Sequence, residues 1–351
     1  MTISSNLSKR KFNRRDFLKM SVMSAAAMVA VPRWGIFSRK PSKISYSILG
    51  RVLKEKISVF YSPRYSSPQI GENFFNDVLT IRQSVLGDEN EYHQRIWYEL
   101  TKGGYIHSSG IQRVTETYNT VIRELHPQGR LATVTVPFTH AYENNKLEQK
   151  SSKLFFYGSN HWVVGVIDGD QNTTYYRVKE DRWGKNYLID ASHLHIFTEN
   201  ELNPISKNIA AKDKYIKVDL KTQILKAYEG DTNVLISSIA TGLKEPGKDY
   251  STPSGDYKIN LKRPSRHLPQ RYPINNETLE LYGVPWLCNF TNNGIAVHGA
   301  YWHNDFGYPV SHGCINAPIP VARWLYLWSH PVVPPLEKTY YSNHGTRIFI
   351  Q

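Results

Sequence analysis

Cys314 is the residue of this sequence best suited to covalent chemistry. A free thiol has a pKa of about 8.5 and attacks carbonyl carbon only as the thiolate, so a reactive cysteine needs a nearby base or a positive electric field. His298 precedes it in the chain and follows the alternating run from Ile295 to Val297, which is typical of a short strand. The pattern therefore predicts a cysteine nucleophile with a histidine base.

The residues after Cys314 predict a helix. Pro318 is typical of a helix start, and the mostly apolar residues 321–328 are typical of its body. We expect Asn316 to be the N-cap residue. Cys314 would then lie just outside a helix N-terminus, where the macrodipole favours a negatively charged sulfur.

Two motif halves carry a family resemblance. The pair His298-Gly299, followed by the sequence Ser-His-Gly-Cys-Ile-Asn at 311–316, resembles the signature of the L,D-transpeptidase catalytic domain, whose members are cysteine enzymes that cross-link bacterial peptidoglycan. Residues 252–257 resemble the family's Thr-Pro-x-Gly-x-aromatic turn, and residues 215–220 resemble its opening strand. Many members carry Arg two residues after the cysteine, whereas this chain has Asn316.

The resemblance implies a role for each motif residue. Cys314 is the expected nucleophile and His298 the general base, which either takes the thiol proton during attack or holds it in an ion pair. The carbonyl of Gly299 is expected to orient the imidazole. The backbone amides around His312, Gly313 and Cys314 are the expected oxyanion hole, supported by Ser311. The expected substrate-binding residues are Tyr301, Trp302, His303 and Asn316, and for Trp302 and His303 the alternative is ordinary loop packing. Neither a cofactor nor a metal is expected.

The resemblance also implies a reaction. The thiolate would attack a carbonyl of a peptidoglycan stem peptide, expel D-alanine and form a thioester, which an amine of a neighbouring stem would resolve. Resolution by water would instead give L,D-carboxypeptidase activity, and transfer to another amine is also left open.

Three rival hypotheses use the same residues. A zinc site would recruit His267, His298, His303, His312 and Cys314, although no compact ligand pair such as Cys-x-x-Cys occurs. In a papain-like peptidase the cysteine precedes the histidine, which is the reverse of the order here. A non-catalytic wall-binding protein would not need the intact motif. The second cysteine, Cys288, is expected to be a small apolar residue of a strand at 285–288.

The charge of the chain is concentrated at its N-terminus. The net charge is +13, and residues 1–43 hold ten Lys or Arg against one acidic residue. The remainder shows no basic helix and no aromatic-interleaved basic groove, so no nucleic-acid partner is predicted.

Residues 1–43 resemble a twin-arginine export signal. Arg14 and Arg15 precede an apolar run of about a dozen residues, which is too short for an ordinary spanning helix. We expect export to the cell envelope, in the periplasm or at the outer face of the cytoplasmic membrane. Signal cleavage and an uncleaved membrane anchor both stay open, and a disordered basic N-terminus is the alternative interpretation.

The rest of the chain predicts a mainly β fold, because short aromatic and β-branched runs alternate with Gly and Pro turns. Residues 44–125 and 126–205 resemble bacterial SH3-like modules, each a small β-barrel, that either bind wall polymer, position the catalytic domain or serve as spacers. Residues 211–351 are expected to form a β-sandwich-like catalytic domain with one helix. The modules are interpreted as a divergent repeat in which residues 132–138 match 58–63, residues 174–178 match 97–100, and residues 187–191 match 105–109.

Overall fold

The computed structural model describes residues 48–88, 94–143, 153–170, 173–274 and 277–351, and of residues 269–274 and 277–279 it describes the backbone alone. The predicted export signal at 1–43 lies outside these residues. Tyr46–Gln351 form one compact unit. None of the helices within the described ranges combines the length and the apolar character needed to cross a membrane.

The first part of the chain forms a seven-stranded sheet with the order β3-β2-β6-β5-β4-β1-β7. Its strands are β1 (Ile48–Val52), β2 (Lys56–Phe60), β3 (Gln69–Phe74), β4 (Val78–Leu86), β5 (Ile96–Leu100), β6 (Tyr105–His107) and β7 (Ile111–Val114). A 3₁₀ turn, Ser108–Gly110, separates the last two strands. We call this the first sheet.

The second sheet has the same topology, because adding seven to every label of the first sheet gives its order, β10-β9-β13-β12-β11-β8-β14. Its strands are β8 (Arg130–Val134), β9 (Phe138–Glu143), β10 (Lys153–Phe156), β11 (Asn160–Asp168), β12 (Thr174–Lys179), β13 (Asn186–Asp190) and β14 (Leu194–Ile196). A 3₁₀ turn again precedes the last strand, at Ala191–His193.

This topology corrects one match of the predicted repeat. Strands β12 and β13 occupy the places of β5 and β6, as predicted, but β8 occupies the place of β1 and not that of β2. The prediction compared two similar apolar runs, and hydrophobic alternation does not report which neighbour a strand pairs with. The interpretation of the two sheets as SH3-like barrels stays a prediction, as do the domain boundaries at 44–125, 126–205 and 211–351.

The C-terminal part contains two five-stranded sheets and the helix α1 (Ile319–Trp328). Its strands are β15 (Lys214–Asp219), β16 (Ile224–Glu229), β17 (Thr232–Ser238), β18 (Lys244–Glu245), β19 (Lys248–Asp249), β20 (Gly255–Lys258), β21 (Leu261–Ile274), β22 (Glu277–Asn289), β23 (Ala296–Gly299), β24 (Ile315–Ala317), β25 (Tyr340–Tyr341) and β26 (Arg347–Ile350). One sheet has the order β17-β16-β15-β26-β20 and the other β24-β23-β22-β21-β25, while β18 pairs only with β19. The mainly β fold with one helix after Cys314 is confirmed.

Strand formation here follows alternation of apolar and polar residues. In β15, Ile216 and Val218 are fully buried while Lys217 is exposed, as the sequence predicts. Val297 and Ile315 of the candidate site belong to the same hydrophobic core, together with Leu131, Trp162 and Phe197 from the second sheet and its exit. The second sheet and the C-terminal sheets therefore share a core.

Two buried lysines satisfy carbonyl groups at the C-terminal end of α1. The Lys262 ammonium donates to Tyr326 O at 2.7 Å and to Ser329 O at 2.6 Å, and Lys214 donates to Trp328 O at 2.9 Å. The last carbonyls of a helix lack intrahelical partners and carry partial negative charge. These cations therefore hold the end of α1 against β15 and β21.

We expect the Lys262→Met variant to lower the free energy of unfolding by about 2 kcal/mol, measured by urea denaturation. Methionine fills a similar volume, but the two carbonyl oxygens lose their donor, which costs about 1–3 kcal/mol each and is partly offset because an ammonium is no longer buried. The matched control is Lys226→Met on exposed β16 surface, where the change should stay within about 0.5 kcal/mol. Equal stability of the two variants would contradict this role of Lys262.

Candidate active site

The two motif halves meet as neighbouring parallel strands. Strand β23 pairs with β24, so that Val297 lies opposite Ile315 and His298 lies opposite Asn316. The predicted strand that ends near His298 is confirmed. Residues distant in the chain are thereby brought to adjacent positions at the edge of one sheet.

This pairing overturns the expected helix cap. Asn316 is in β24, and α1 begins after Pro318, which provides no side-chain cap. The predicted N-cap at Asn316 is therefore wrong, and the macrodipole effect on the Cys314 sulfur that was inferred from it stays a prediction. An Asn followed two residues later by a Pro is a common helix start in sequence. In the structure, however, the backbone of Asn316 pairs with His298 and with Ala240.

Cys314 is partly buried. It lies against the cluster that contains Ala296, Ala300 and Trp302. Burial raises the pKa of the Cys314 thiol, and a hydrogen bond to the backbone of Ala296 opposes this only in part. A thiol with a raised pKa needs a base to become a nucleophile.

His298 lies opposite Asn316 in the sheet, which is two residues after Cys314, and its role as the base stays a prediction. Its Nδ1 lies 3.1 Å from the carbonyl oxygen of Gly299, an acceptor, so Nδ1 carries the proton and Nε2 has the free lone pair. Only 2% of His298 is exposed, and burial lowers its pKa to about 4. A neutral imidazole with a free Nε2 is able to accept a proton.

The loop before Cys314 is held by side chains that the sequence reasoning did not select. The Thr252 hydroxyl accepts from Gly242 N at 2.8 Å and donates to Gly313 O at 2.8 Å. A Cβ on Gly242 would lie 1.9 Å from Tyr250 O, and Gly313 has a φ of +116°, so both positions require glycine. Thr252 belongs to the Thr-Pro turn that resembles the family motif, but nothing in the sequence indicated that its hydroxyl contacts Gly313.

Ser311 closes the same loop. Its hydroxyl donates to Cys314 O and accepts from Gly313 N at 3.2 Å. Ser311 N also donates to Thr241 O, and Leu243 N donates to Ser311 O. Of the amides predicted to form the oxyanion hole, that of Gly313 is thus directed at Ser311 in the resting structure. The oxyanion role of the amides stays a prediction.

We expect Thr252→Val to slow formation of a covalent adduct on Cys314 by about tenfold or more, measured by mass spectrometry against time. Valine keeps the shape but leaves a buried N–H and a buried C=O without partners, which costs about 1–3 kcal/mol and displaces Gly313. The matched control, Thr232→Val, lies on an exposed position of β17 and should react at the rate of the unchanged protein. Equal rates for both variants would refute the positioning of Gly313 by Thr252.

The residues predicted to bind substrate divide into different environments. Tyr301 is fully buried and donates its hydroxyl proton to Tyr282 O at 2.7 Å, so its ring belongs to the core. Trp302 is also buried, with its ring 5.8 Å from that of His298. A substrate-binding role for Tyr301 and Trp302 stays a prediction, and the structure gives both rings packing contacts.

His303 and Asn316 form a buried pair. The Asn316 amide lies 2.8 Å from His303 Nε2, and Asp305 N donates to His303 Nδ1 at 3.3 Å. Burial, together with the nearby His298, lowers the pKa of His303 to about 3, so this ring is neutral. Because His298 lies opposite Asn316 in the sheet, this buried pair is a neighbour of His298.

His312 differs from these buried residues. Its side chain is exposed and packs edge-on against Tyr250, with ring centroids 4.5 Å apart. The side chain lies at the open side of the loop, and its supporting role in catalysis stays a prediction.

The zinc hypothesis gains no support from the geometry. His267 lies with Glu180, whose Oε1 is 2.9 Å from His267 Nδ1, and it stacks on Tyr282. Within the ranges that the structure describes, no three His, Cys, Asp or Glu side chains gather in an arrangement fit for a metal ion. Cys288 is a free, fully buried thiol in β22, as the sequence predicts.

A cavity of about 880 Å³ lies beside the site, and sequence reasoning did not find it. Its walls combine Tyr98 of the first sheet and Thr133 of the second with His303, Phe306 and Trp324 of the C-terminal part. This volume is in the range of small-molecule pockets. The wall residues come from three separate sheets and the helix, so only the assembled fold creates the space.

The C-terminal region matches a known catalytic family. Residues 213–350 match the YkuD model, which describes the L,D-transpeptidase catalytic domain. This part of the chain is therefore similar to the L,D-transpeptidase catalytic domain, and its mainly β structure agrees with that match.

Individual relatives share the catalytic region. The Bacillus subtilis protein YciB, named as an L,D-transpeptidase, is 29% identical over 128 residues, which cover 33% of this chain and 61% of YciB. A crystal structure of an L,D-transpeptidase from Xylanimonas cellulosilytica is 26% identical, covers 40% of this chain and 62% of that chain, and has a TM-score of 0.29. The solution structure of the catalytic domain from the E. faecium L,D-transpeptidase is 25% identical over 40% of this chain and 98% of that domain, with a TM-score of 0.29. The chain thus spans about three-fifths of the curated relative that it matches.

Proposed function

We propose that this protein is a peptidoglycan L,D-transpeptidase that works through a thioester on Cys314. The observation that carries the proposal is the pairing of β23 with β24, which sets a neutral His298 with a free Nε2 beside the loop of Cys314. The match of residues 213–350 to the catalytic-domain family supports the same reaction class.

The proposed acylation step starts from a Cys314 thiol and a neutral His298 imidazole. Cys314 Sγ attacks the carbonyl carbon of a stem peptide while His298 Nε2 accepts the thiol proton, so no ion pair has to exist beforehand. Backbone amides of the 311–314 loop stabilise the oxyanion, each such donor being worth about 3 kcal/mol. As the C–N bond breaks, His298 returns the proton to the nitrogen of the departing D-alanine, which leaves a thioester.

The deacylation step reverses these roles. An amine of a neighbouring stem attacks the thioester carbon, His298 accepts a proton from that amine, and the sulfur departs and is reprotonated. The products are a cross-linked dimer and the free enzyme. Hydrolysis of the same thioester gives a tripeptide and is the L,D-carboxypeptidase alternative.

The remaining parts of the chain support a location at the wall. We propose that residues 1–43 direct export to the envelope, where peptidoglycan is found, either with cleavage or as a membrane anchor. The two sheets at the N-terminal side would then be SH3-like modules next to the catalytic domain. A non-catalytic wall-binding protein is the alternative of another class, and the intact set of Cys314, His298 and Thr252 contacts favours catalysis.

The test is incubation of the full chain with disaccharide tetrapeptide, followed by mass spectrometry of protein and products. We expect a mass increase on Cys314 equal to the donor less D-alanine, together with release of D-alanine. A dimer identifies the transpeptidase, and a tripeptide alone identifies the carboxypeptidase. If no adduct or product forms with substrates from several wall types, the protein is not an acyl-transfer enzyme of this kind.

A further inference from the structure

We propose that Arg51 of the first sheet is a positioning residue for the active site, and that it acts through the backbone of Tyr301. The inference extends the proposed function, on which its activity readout rests. It assigns part of the active-site scaffold to a strand that lies outside the catalytic-family match at 213–350.

Arg51 is a charged group enclosed by the protein. It is 1% exposed, and its four hydrogen bonds go to neutral oxygens. Nε and Nη2 donate to Gln112 Oε1 at 3.0 and 2.7 Å, and Nη1 donates to Asn76 Oδ1 at 2.9 Å. Nη2 also donates to Tyr301 O at 2.7 Å, and the guanidinium lies 4.4 Å from the ring centroid of Phe156. The guanidinium thus ties β1 to a residue 250 positions away.

The residues that follow Tyr301 in the chain contact His298 and its neighbour Asn316. The next residue, Trp302, packs its ring 5.8 Å from the ring of His298, and His303 follows with its bond to Asn316. The Tyr301 ring is fixed separately by Phe156 and by Tyr282 O. Movement of the 301 carbonyl would therefore shift Trp302, whose ring packs beside His298.

The first sheet holds the other end of the same segment. Asn304 Nδ2 donates to Ser108 O at 2.9 Å and to Ile111 O at 3.3 Å, and the Lys54 ammonium lies 3.3 Å from Asp305 Oδ1. The Lys54 pair is partly exposed and contributes little. The hydrogen bonds to Tyr301 O and from Asn304 Nδ2 thus hold the chain just before and just after Trp302 and His303, and both connect it to the first sheet and its 3₁₀ turn.

The chemistry of the contact argues against simple sheet stabilisation. Burying a guanidinium without a carboxylate is expensive, and an apolar residue often serves stability equally well or better. A planar fork with five donors can, however, fix several oxygens in one geometry. Misplacing catalytic groups by about 1 Å typically costs on the order of 100-fold in rate.

The test compares Arg51→Met with Asn76→Gly in a Cys288→Ser background, where Cys314 is the sole cysteine. Asn76→Gly removes one partner of Arg51 but leaves the bond to Tyr301, and glycine suits the φ of +69° at this position. We measure the rate of Cys314 alkylation by iodoacetamide against pH, which needs no substrate, and the rate and KM of acylation by disaccharide tetrapeptide. All rates are taken well below the unfolding temperature of each variant.

For Arg51→Met we expect acylation about 10- to 100-fold slower with KM changed less than threefold, and an alkylation pH profile displaced from that of Asn76→Gly. Arg51→Lys, which keeps one donor for Tyr301 O, should recover part of both effects. Profiles and rates equal to those of Asn76→Gly, with only a lower Tm, would overturn the proposal.

If Arg51→Met does not fold, a second variant tests the same proposal. Asn304→Ala releases the same segment from its other end without touching Arg51, and it should shift the alkylation profile in the same direction. An unchanged profile would count against the proposal. If no variant or parent is acylated, the transpeptidase function fails, while the alkylation profiles still decide the role of Arg51.

Discussion

Replacing Cys314 with alanine is expected to reduce acylation by disaccharide tetrapeptide to background, a loss of about 10⁴-fold or more, because no other group can form the thioester. Cys288→Ser is the matched control, since Cys288 is fully buried in β22 and burial raises the pKa of its thiol. The measurement is protein mass together with D-alanine release over time.

The two cysteine variants give a clear decision. Adduct formation in Cys288→Ser and none in Cys314→Ala supports Cys314 as the nucleophile. Turnover that survives in Cys314→Ala would disprove the thioester mechanism at Cys314. Loss of activity in a folded Cys288→Ser would show that Cys288, and not Cys314 alone, is needed for the reaction.

Replacing His298 with glutamine is expected to slow acylation by about 10²- to 10⁴-fold, the usual contribution of a general base. Glutamine keeps a donor for Gly299 O but has no basic nitrogen. Since the base must be neutral and burial lowers the pKa of His298 to about 4, the acylation rate of the unchanged protein should hold from pH 7 down to about pH 5. It should fall only as the pH approaches 4. The measurement is the acylation rate constant from pH 3.5 to 8.

The control for this prediction is His344→Gln, which changes an exposed histidine of the C-terminal segment and should leave the rate unaltered. A rate that falls with a midpoint near 6.5, the ordinary value for histidine, would show that His298 is not held neutral by burial. A rate for His298→Gln within tenfold of the unchanged protein would remove His298 from the proton transfer.

Local sequence patterns predicted the individual strands well. The alternation in β15 and the helix after Pro318 both lie where the sequence places them. These features depend on neighbouring residues, whose periodicity and turn chemistry are visible in the chain. The motif around His298 and Cys314 was likewise recognisable because it is short and local.

Predictions that needed a partner strand failed or were absent. The repeat match of β8 to β2 and the N-cap at Asn316 were both inferred from local pattern, and both were decided by strand pairing. The support of Gly313 by Thr252 and the cavity walled by three sheets were not foreseen. Contacts of this kind join residues that are far apart in the chain, so no local sequence pattern reports them.

The sequence by itself determined the chemistry that is available: a thiol, an imidazole, glycines that permit a tight loop, and alternating strands to carry them. The tertiary structure decided the state of those groups. Burial raises the pKa of the Cys314 thiol and lowers that of His298. Burial depends on everything that packs around a residue, and for that reason the residue types alone do not fix it.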